Sequence, residues 1–113
     1  MARTIERDEL ETAIKAGAVT VVETLRAEHF ADGHLPGAIH IHFEAITEQA
    51  PSLLPDKDAA IVTYCSNTAC RNSEAAANQL TAIGYTNVRK YAQGKQDWQE
   101  AGLALETSQA VGS

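Results

Sequence analysis

Apolar positions along the chain repeat at two different periods, and the two periods alternate. From Arg7 to Ala16, Leu10, Ala13 and Ile14 fall at helical spacing, with Glu6, Asp8 and Glu9 in and around the first turn and Gly17 placed as a stop. Ala18-Val19-Thr20-Val21-Val22 is short and β-branched, the signature of a buried strand. Arg26 to Asp32 carries about two helical turns and runs into the turn cluster Gly33-His34-Leu35-Pro36-Gly37. Ala38 to Ile41 reads as a second strand, and Phe43 to Gln49 as helical, with Pro51 and Pro55 bracketing a loop. Ala59 to Tyr64 is the next strand. The strongest helix pattern opens at Ser73-Glu74, places Ala76, Leu80 and Ile83 on one face and stops at Gly84. Val88 to Tyr91 is strand-like, Gln93-Gly94 a turn, and Lys95 to Ala101 a last helix carrying Trp98.

Strands that alternate with helices predict an α/β fold, a mostly parallel central sheet with helices on both faces. The chain of 113 residues is read as one domain over 1–105, followed by a small, polar and flexible C-terminal tail over 106–113. Hydrophobic content of 44% and charged content of 21% fit an ordinary folded domain rather than a disordered segment. No apolar run approaches the ~18 residues of a membrane span, and the N-terminus is charged rather than signal-like, so no membrane association and a cytoplasmic location are expected. A net charge of −6 without a Lys/Arg cluster argues against nucleic acid and anionic surfaces as partners. A monomer is the default for a domain of this size.

In sheets of this kind ligands bind beyond the carboxyl ends of the strands, which is where Cys65 falls. It follows the Ala59–Tyr64 strand and opens a polar loop, Ser66-Asn67-Thr68-Ala69-Cys70-Arg71-Asn72, ahead of the Ser73 helix. Backbone N–H groups of such a loop, with the next helix's N-terminus, create a positive potential that favours thiolate over thiol and holds an anion. A free cysteine has a pKa of about 8.5, lowered to roughly 3.5–7.5 in such surroundings. Cys65 is therefore the candidate nucleophile, with the amides of Ser66, Asn67, Thr68, Ala69, Cys70 and Arg71 as the anion cradle and Arg71 as the cationic helper. Two cysteines without a secretory signal are expected as reduced thiols, with a transient Cys65–Cys70 disulfide open because they are close in sequence. Cys70 is either a resolving thiol or a small residue filling the loop floor.

Three motifs stand in order: Gly33-His34-Leu35-Pro36-Gly37-Ala38, then Tyr64-Cys65 opening a loop into a helix, then Gly84-Tyr85-Thr86-Asn87-Val88 with Gly94 and Trp98. Together they resemble the single-domain rhodanese-like family from about Leu10 to Leu103. The resemblance implies a rhodanese-like parallel-sheet domain with an active cysteine in a loop that cradles its sulfur. It implies transfer of sulfane sulfur from a small thiosulfate-like donor, through a Cys65 persulfide, to a thiol, cyanide or protein-cysteine acceptor, with no cofactor. Where the family's strand after the first helix commonly ends Asp-x-Arg, this chain has Glu23-Thr24-Leu25-Arg26, which implies a structural ion pair with the Arg moved one place. The loop after Cys65 is longer than the common sulfurtransferase loop. Some members share Cys-Ser-Asn, a second Cys and a Ser before the helix, and these too are read as sulfurtransferases.

Cys65 to Arg71 also spells Cys-x5-Arg, which keeps open a phosphatase or arsenate reductase of the same fold. Against it, Asn72-Ser73-Glu74-Ala75 supplies no glycine for a tight wrap, and no general-acid loop stands out. A non-catalytic rhodanese-like module that binds a partner is the third alternative. Among His29, His34, His40 and His42 no metal site is expected, since His40 and His42 lack further ligands at metal spacing. His34 is read as bonding backbone within its turn, Glu23 and Asp32 as solvated or ion-paired, Ser73 as a helix N-cap, and Trp98 as a core plug.

Overall fold

Every strand of the sheet runs parallel to its neighbours. The structure, a computed structural model, describes residues 3–107. Its elements are β1 (Arg3–Thr4), α1 (Arg7–Lys15), β2 (Thr20–Glu23), α2 (Ala27–Asp32), β3 (Ile39–His40), a 3₁₀ turn (Phe43–Ala45), α3 (Ile46–Leu53), β4 (Ile61–Tyr64), α4 (Asn72–Ala82), β5 (Val88–Tyr91) and α5 (Gly94–Glu100). The five-stranded sheet has the order β1-β5-β4-β2-β3, so β4 lies at its centre.

Alternation along each strand divides the core into two layers. Val22, Ile61 and Val88 face α3 and α4, where they meet Ile46, Ala50, Ala76, Ala77 and Leu80. Val21, Val62, Tyr64 and Tyr91 face the other way, onto Leu10 of α1 and Trp98 of α5. The register pairs Ile61 with Val88 and Val21 with Val62, so each layer is continuous across strands. This two-sided burial is why the strands read as unbroken apolar runs. Trp98 is buried in the second layer and donates from Nε1 to Ala104 O at 3.0 Å.

Four features differ from the sequence reading. β1 escapes it because two exposed residues carry no period; only pairing with Arg89 and Lys90 of β5 makes them a strand. α3 continues through Pro51 to Leu53 rather than ending in a loop. Pro51 is exposed, where the carbonyl it leaves without a helical donor can meet water. Ser73 lies inside the first turn of α4 and is buried; Arg71 occupies the N-cap position. Glu106, placed in the flexible tail, instead bridges antiparallel to His34, each N–H donating to the other's carbonyl at 2.8 Å. The Glu106 side chain also accepts from Gly37 N–H at 2.9 Å, and Leu105 packs against Gly33. The rest of the predicted tail, from residue 108 onward, lies outside the described residues. Among those described, no helix is long and apolar enough to cross a membrane.

Candidate functional site

A fully parallel sheet brings all its carboxyl strand ends to one rim, and the central strand delivers Cys65 there. Thr24, the residue after β2, fixes that end of β4 by donating to Tyr64 O from both its N–H (3.0 Å) and its Oγ1 (2.9 Å). From the other side the start of α5 holds the loop: Lys95 N–H donates to Cys65 O and Gln96 N–H to Ser66 O, both at 2.8 Å. Gly94 makes this approach feasible. Its φ is +71°, and a Cβ there would stand 2.6 Å from Cys65 O and 2.8 Å from Asn67 N.

Within the loop, Asn67 folds the chain back on itself. Its carbonyl accepts from Cys70 N–H at 3.1 Å and its Oδ1 from Ala69 N–H at 3.0 Å. The turn brings Cys70 over Cys65, and the two sulfurs are bonded, with a Cα–Cα distance of 6.4 Å. That separation lies within the range disulfides adopt, about 4.4–6.8 Å. The fold therefore places the two sulfurs within reach of a disulfide, the pairing that their close spacing left open. In this form Cys65 is 1% exposed. The amides of Ala69 and Cys70 are occupied by Asn67, while those of Ser66, Asn67, Thr68 and Arg71 have no backbone or side-chain acceptor among the described residues.

Arg71 occupies the N-cap position of α4, at the far end of the loop from Cys65. It is exposed and lines a small cleft of about 100 Å³ with Cys70, Glu74 and Lys90. Glu74 is held below the ordinary carboxylate range by its hydrogen bond to Lys90, with Arg71 adding to the same effect.

Beneath the site lies a buried polar network that sequence reasoning missed. Glu23 is fully buried, and Lys95 Nζ stands 3.1 Å from each of its carboxylate oxygens. Tyr64 donates its hydroxyl to Glu23 Oε1 at 2.7 Å and accepts from Leu35 N–H at 3.0 Å. Burial and the Glu23 charge both push the Tyr64 phenol upward, so it stays a donor. Lys95 Nζ also donates to His29 O at 3.0 Å. The expected ion pair between Glu23 and Arg26 is absent: the cation comes from α5, and Arg26 lies exposed 3.9 Å from Glu28. Leu25 and Arg26 cannot both turn inward from an extended strand end, because successive side chains alternate in direction. The local signal for Lys95 was nil, since it lies 72 residues away in sequence.

Two open clefts flank the rim. The larger, about 740 Å³, runs along the carboxyl ends of β2 and β3 and includes Arg26, His29, His42, Glu44 and Asn72. The smaller, about 250 Å³, shares Leu25 and His29 with it and reaches Ser66 and Lys95. His42 Nδ1 accepts from Glu44 N–H at 3.4 Å, and His40 Nε2 lies 2.6 Å from Leu25 O. His34 Nδ1 faces Phe30 O at 2.9 Å, one turn upstream in α2 rather than within its own turn. Among the described residues no group of three or more His, Cys, Asp or Glu side chains is placed to hold a metal.

The architecture agrees with what is known of similar proteins. Along 108 residues the chain is 32% identical to the HTH-type transcriptional regulator Rv0324 of Mycobacterium tuberculosis, covering 96% of this chain and 46% of that protein. It is 34% identical over 61 residues to the thiosulfate sulfurtransferase PspE of Escherichia coli, 54% of this chain and 57% of that one. The chain thus spans about half the length of the curated relatives it matches. Among solved structures, the BH2092 protein of Bacillus halodurans superposes with a TM-score of 0.86 at 28% identity, over 95% of this chain and 78% of that one. Residues 6–101, from just before α1 to the end of α5, match the rhodanese-like domain, and with the parallel sheet and the cysteine loop on its central strand this chain belongs to that family.

Proposed function

We propose that the protein is a sulfurtransferase that carries sulfane sulfur on Cys65. The observation that carries the reading is the placement of Cys65 at the carboxyl end of the central strand, in a loop whose Ser66, Asn67, Thr68 and Arg71 amides are free to bind an anion. In the reduced protein, the Cys65 thiolate attacks the outer sulfur of thiosulfate. The S–S bond of the donor breaks, sulfite departs, and a Cys65 persulfide remains. An acceptor thiolate or cyanide then takes the outer sulfur and restores the thiolate, a two-step covalent route with ping-pong kinetics. The loop amides stabilise the charge on the outer sulfur as an oxyanion hole stabilises oxygen. Similarity to a protein named as a thiosulfate sulfurtransferase supports the donor class.

The Cys-x5-Arg alternative is weaker, because the Arg71 charge is engaged by Glu74 in a cleft that Lys90 also lines. Similarity to a transcriptional regulator favours a second reading, a domain that binds a partner without turnover. Intact-protein mass after brief exposure of the reduced chain to thiosulfate decides between them, with Cys65→Ser and Cys70→Ser variants alongside. Sulfur retained by Cys70→Ser and absent from Cys65→Ser supports transfer. If no variant gains sulfur or releases sulfite, the transferase reading is wrong.

A further inference from the structure

Cys70 has no place in simple sulfur transfer, yet the fold brings its sulfur onto the sulfur of Cys65. Resting on the persulfide reading above, we propose that Cys70 discharges the persulfide, so that the protein reduces the sulfane sulfur of its donor to hydrosulfide.

The chemistry balances. After sulfite has left, Cys70 attacks Sγ of Cys65, the inner sulfur of the persulfide. A Cys65–Cys70 bond forms and the bond from Sγ to the outer sulfur breaks. The outer sulfur keeps the bonding pair, takes the proton from the Cys70 thiol and leaves as hydrosulfide. In sum, a Cys65 thiolate, a Cys70 thiol and thiosulfate become a disulfide, sulfite and hydrosulfide. The cysteine pair loses two electrons and the sulfane sulfur gains them. A dithiol reductant, small or protein-borne, returns the pair to its reduced state for the next turnover.

Three observations favour attack on the inner sulfur. The Cα–Cα distance of 6.4 Å suits the bonded product without moving the strand or the helix. The Asn67 turn, with its bonds to the Ala69 and Cys70 amides, holds Cys70 folded back over Cys65. A partner five residues away closes a short ring, so little chain entropy opposes the step. Displacement at sulfur also needs the leaving atom opposite the attacker, so the outer sulfur departs on the side away from Cys70. Finally, Cys70 is half-buried and borders the open cleft lined by Arg71, Glu74 and Lys90, which gives a reductant a way in even though Cys65 is covered.

The test is a single turnover without external thiol. The full chain is reduced, freed of reductant under exclusion of oxygen, and mixed with one equivalent of thiosulfate. Sulfite, hydrosulfide, free thiols and intact mass are then read. The wild type is expected to release one hydrosulfide per chain, lose both thiols and end two hydrogens lighter with no added sulfur. Cys70→Ser, with Cys70→Ala as a second variant in case serine perturbs the loop, is expected to keep one sulfur atom on Cys65 and to release at least tenfold less hydrosulfide. A wild type that holds the extra sulfur as firmly as these variants, or variants that release hydrosulfide as fast as wild type, would overturn the role of Cys70 and leave the transferase reading intact. If the Cys70 variants take up no sulfur and yield no sulfite, the transferase reading falls, and this inference falls with it.

Discussion

Replacing Lys95 with methionine tests whether the pair beneath the cysteine loop holds the fold. Methionine keeps a long unbranched stem and the backbone N–H that donates to Cys65 O, and removes only the ammonium. Glu23 is fully buried and the Lys95 side chain 13% exposed, so solvent cannot replace the lost charge. Tyr64 alone would then face the carboxylate. Breaking a buried pair from one side costs about 3–5 kcal/mol. For a chain of 113 residues, an unfolding entropy of ~2.1 cal/mol/K per residue makes each kcal/mol worth about 4 °C, so Tm should fall by about 12–20 °C. Glu23→Gln leaves Lys95 with His29 O as an acceptor and should cost less, about 1–3 kcal/mol. The double variant holds no unpaired charge and should be more stable than the sum of the single losses by about 1–3 kcal/mol. Thermal and urea unfolding of the four proteins measures the cycle, and repetition at high salt should change it little, because a buried pair is weakly screened. Strictly additive losses, or a Lys95→Met Tm within a few degrees of wild type, would refute the reasoning. Below its Tm, Lys95→Met should still load sulfur on Cys65, since the ammonium supports the loop from beneath rather than touching the reacting atoms.

Gly94→Ala should cost at least ~1–2 kcal/mol for the left-handed backbone and lower the rate of sulfur loading more than tenfold, because the new Cβ must displace Cys65 O or Asn67 N. Gly17→Ala is the control: its φ is +67° with nothing within 4 Å, so it should show the backbone cost with loading rates unchanged. All three tyrosines, Tyr64, Tyr85 and Tyr91, are raised by burial, with Glu23 adding to Tyr64 and Asp97 to Tyr91. Their contribution to stability is complete below the unfolded tyrosine value of about 10 and declines as pH rises above it. Tyrosinate absorbance should therefore appear only together with loss of the circular-dichroism signal; any tyrosine titrating normally in the folded protein counts against the packing described. Glu74, lowered chiefly by Lys90, contributes stability above the unfolded glutamate value of about 4.3, and this is lost as pH falls through the lower folded value. Lys90→Met should flatten that acid limb in denaturant titrations, and an unchanged limb would remove Glu74 as its source.

Local signals suffice where chemistry is local. Val21-Val22 and Ile61-Val62 announce strands buried on both faces, and Gly17 and Gly84 mark helix ends with positive φ. The position of Cys65, between an apolar run and a polar loop, is equally visible, because a parallel α/β order places such a junction at the carboxyl rim. Short or contextual elements are not visible. Arg3–Thr4 becomes a strand only by pairing with β5, and Pro51 is tolerated within α3 because it lies on an exposed turn. Glu106 is anchored by His34 and Gly37, partners that no neighbouring residue foretells.

The sequence by itself thus determined the α/β class, the order of most elements, the family and the place of the candidate nucleophile, since periodicity, turn residues and ordered motifs are properties of nearby positions. Only the tertiary structure decided which cation meets Glu23, where Arg71 turns, and that Cys65 and Cys70 meet sulfur to sulfur. The physical reason is the same in each case. Lys95 reaches Glu23 because backbone bonds to Cys65 O and Ser66 O hold the start of α5 at the rim, Arg71 is drawn toward Glu74 on the flank, and Cys70 returns to Cys65 through the turn that Asn67 caps. These are contacts between groups whose spatial neighbours are set by packing and by loop hydrogen bonding, and no pattern along the chain records them.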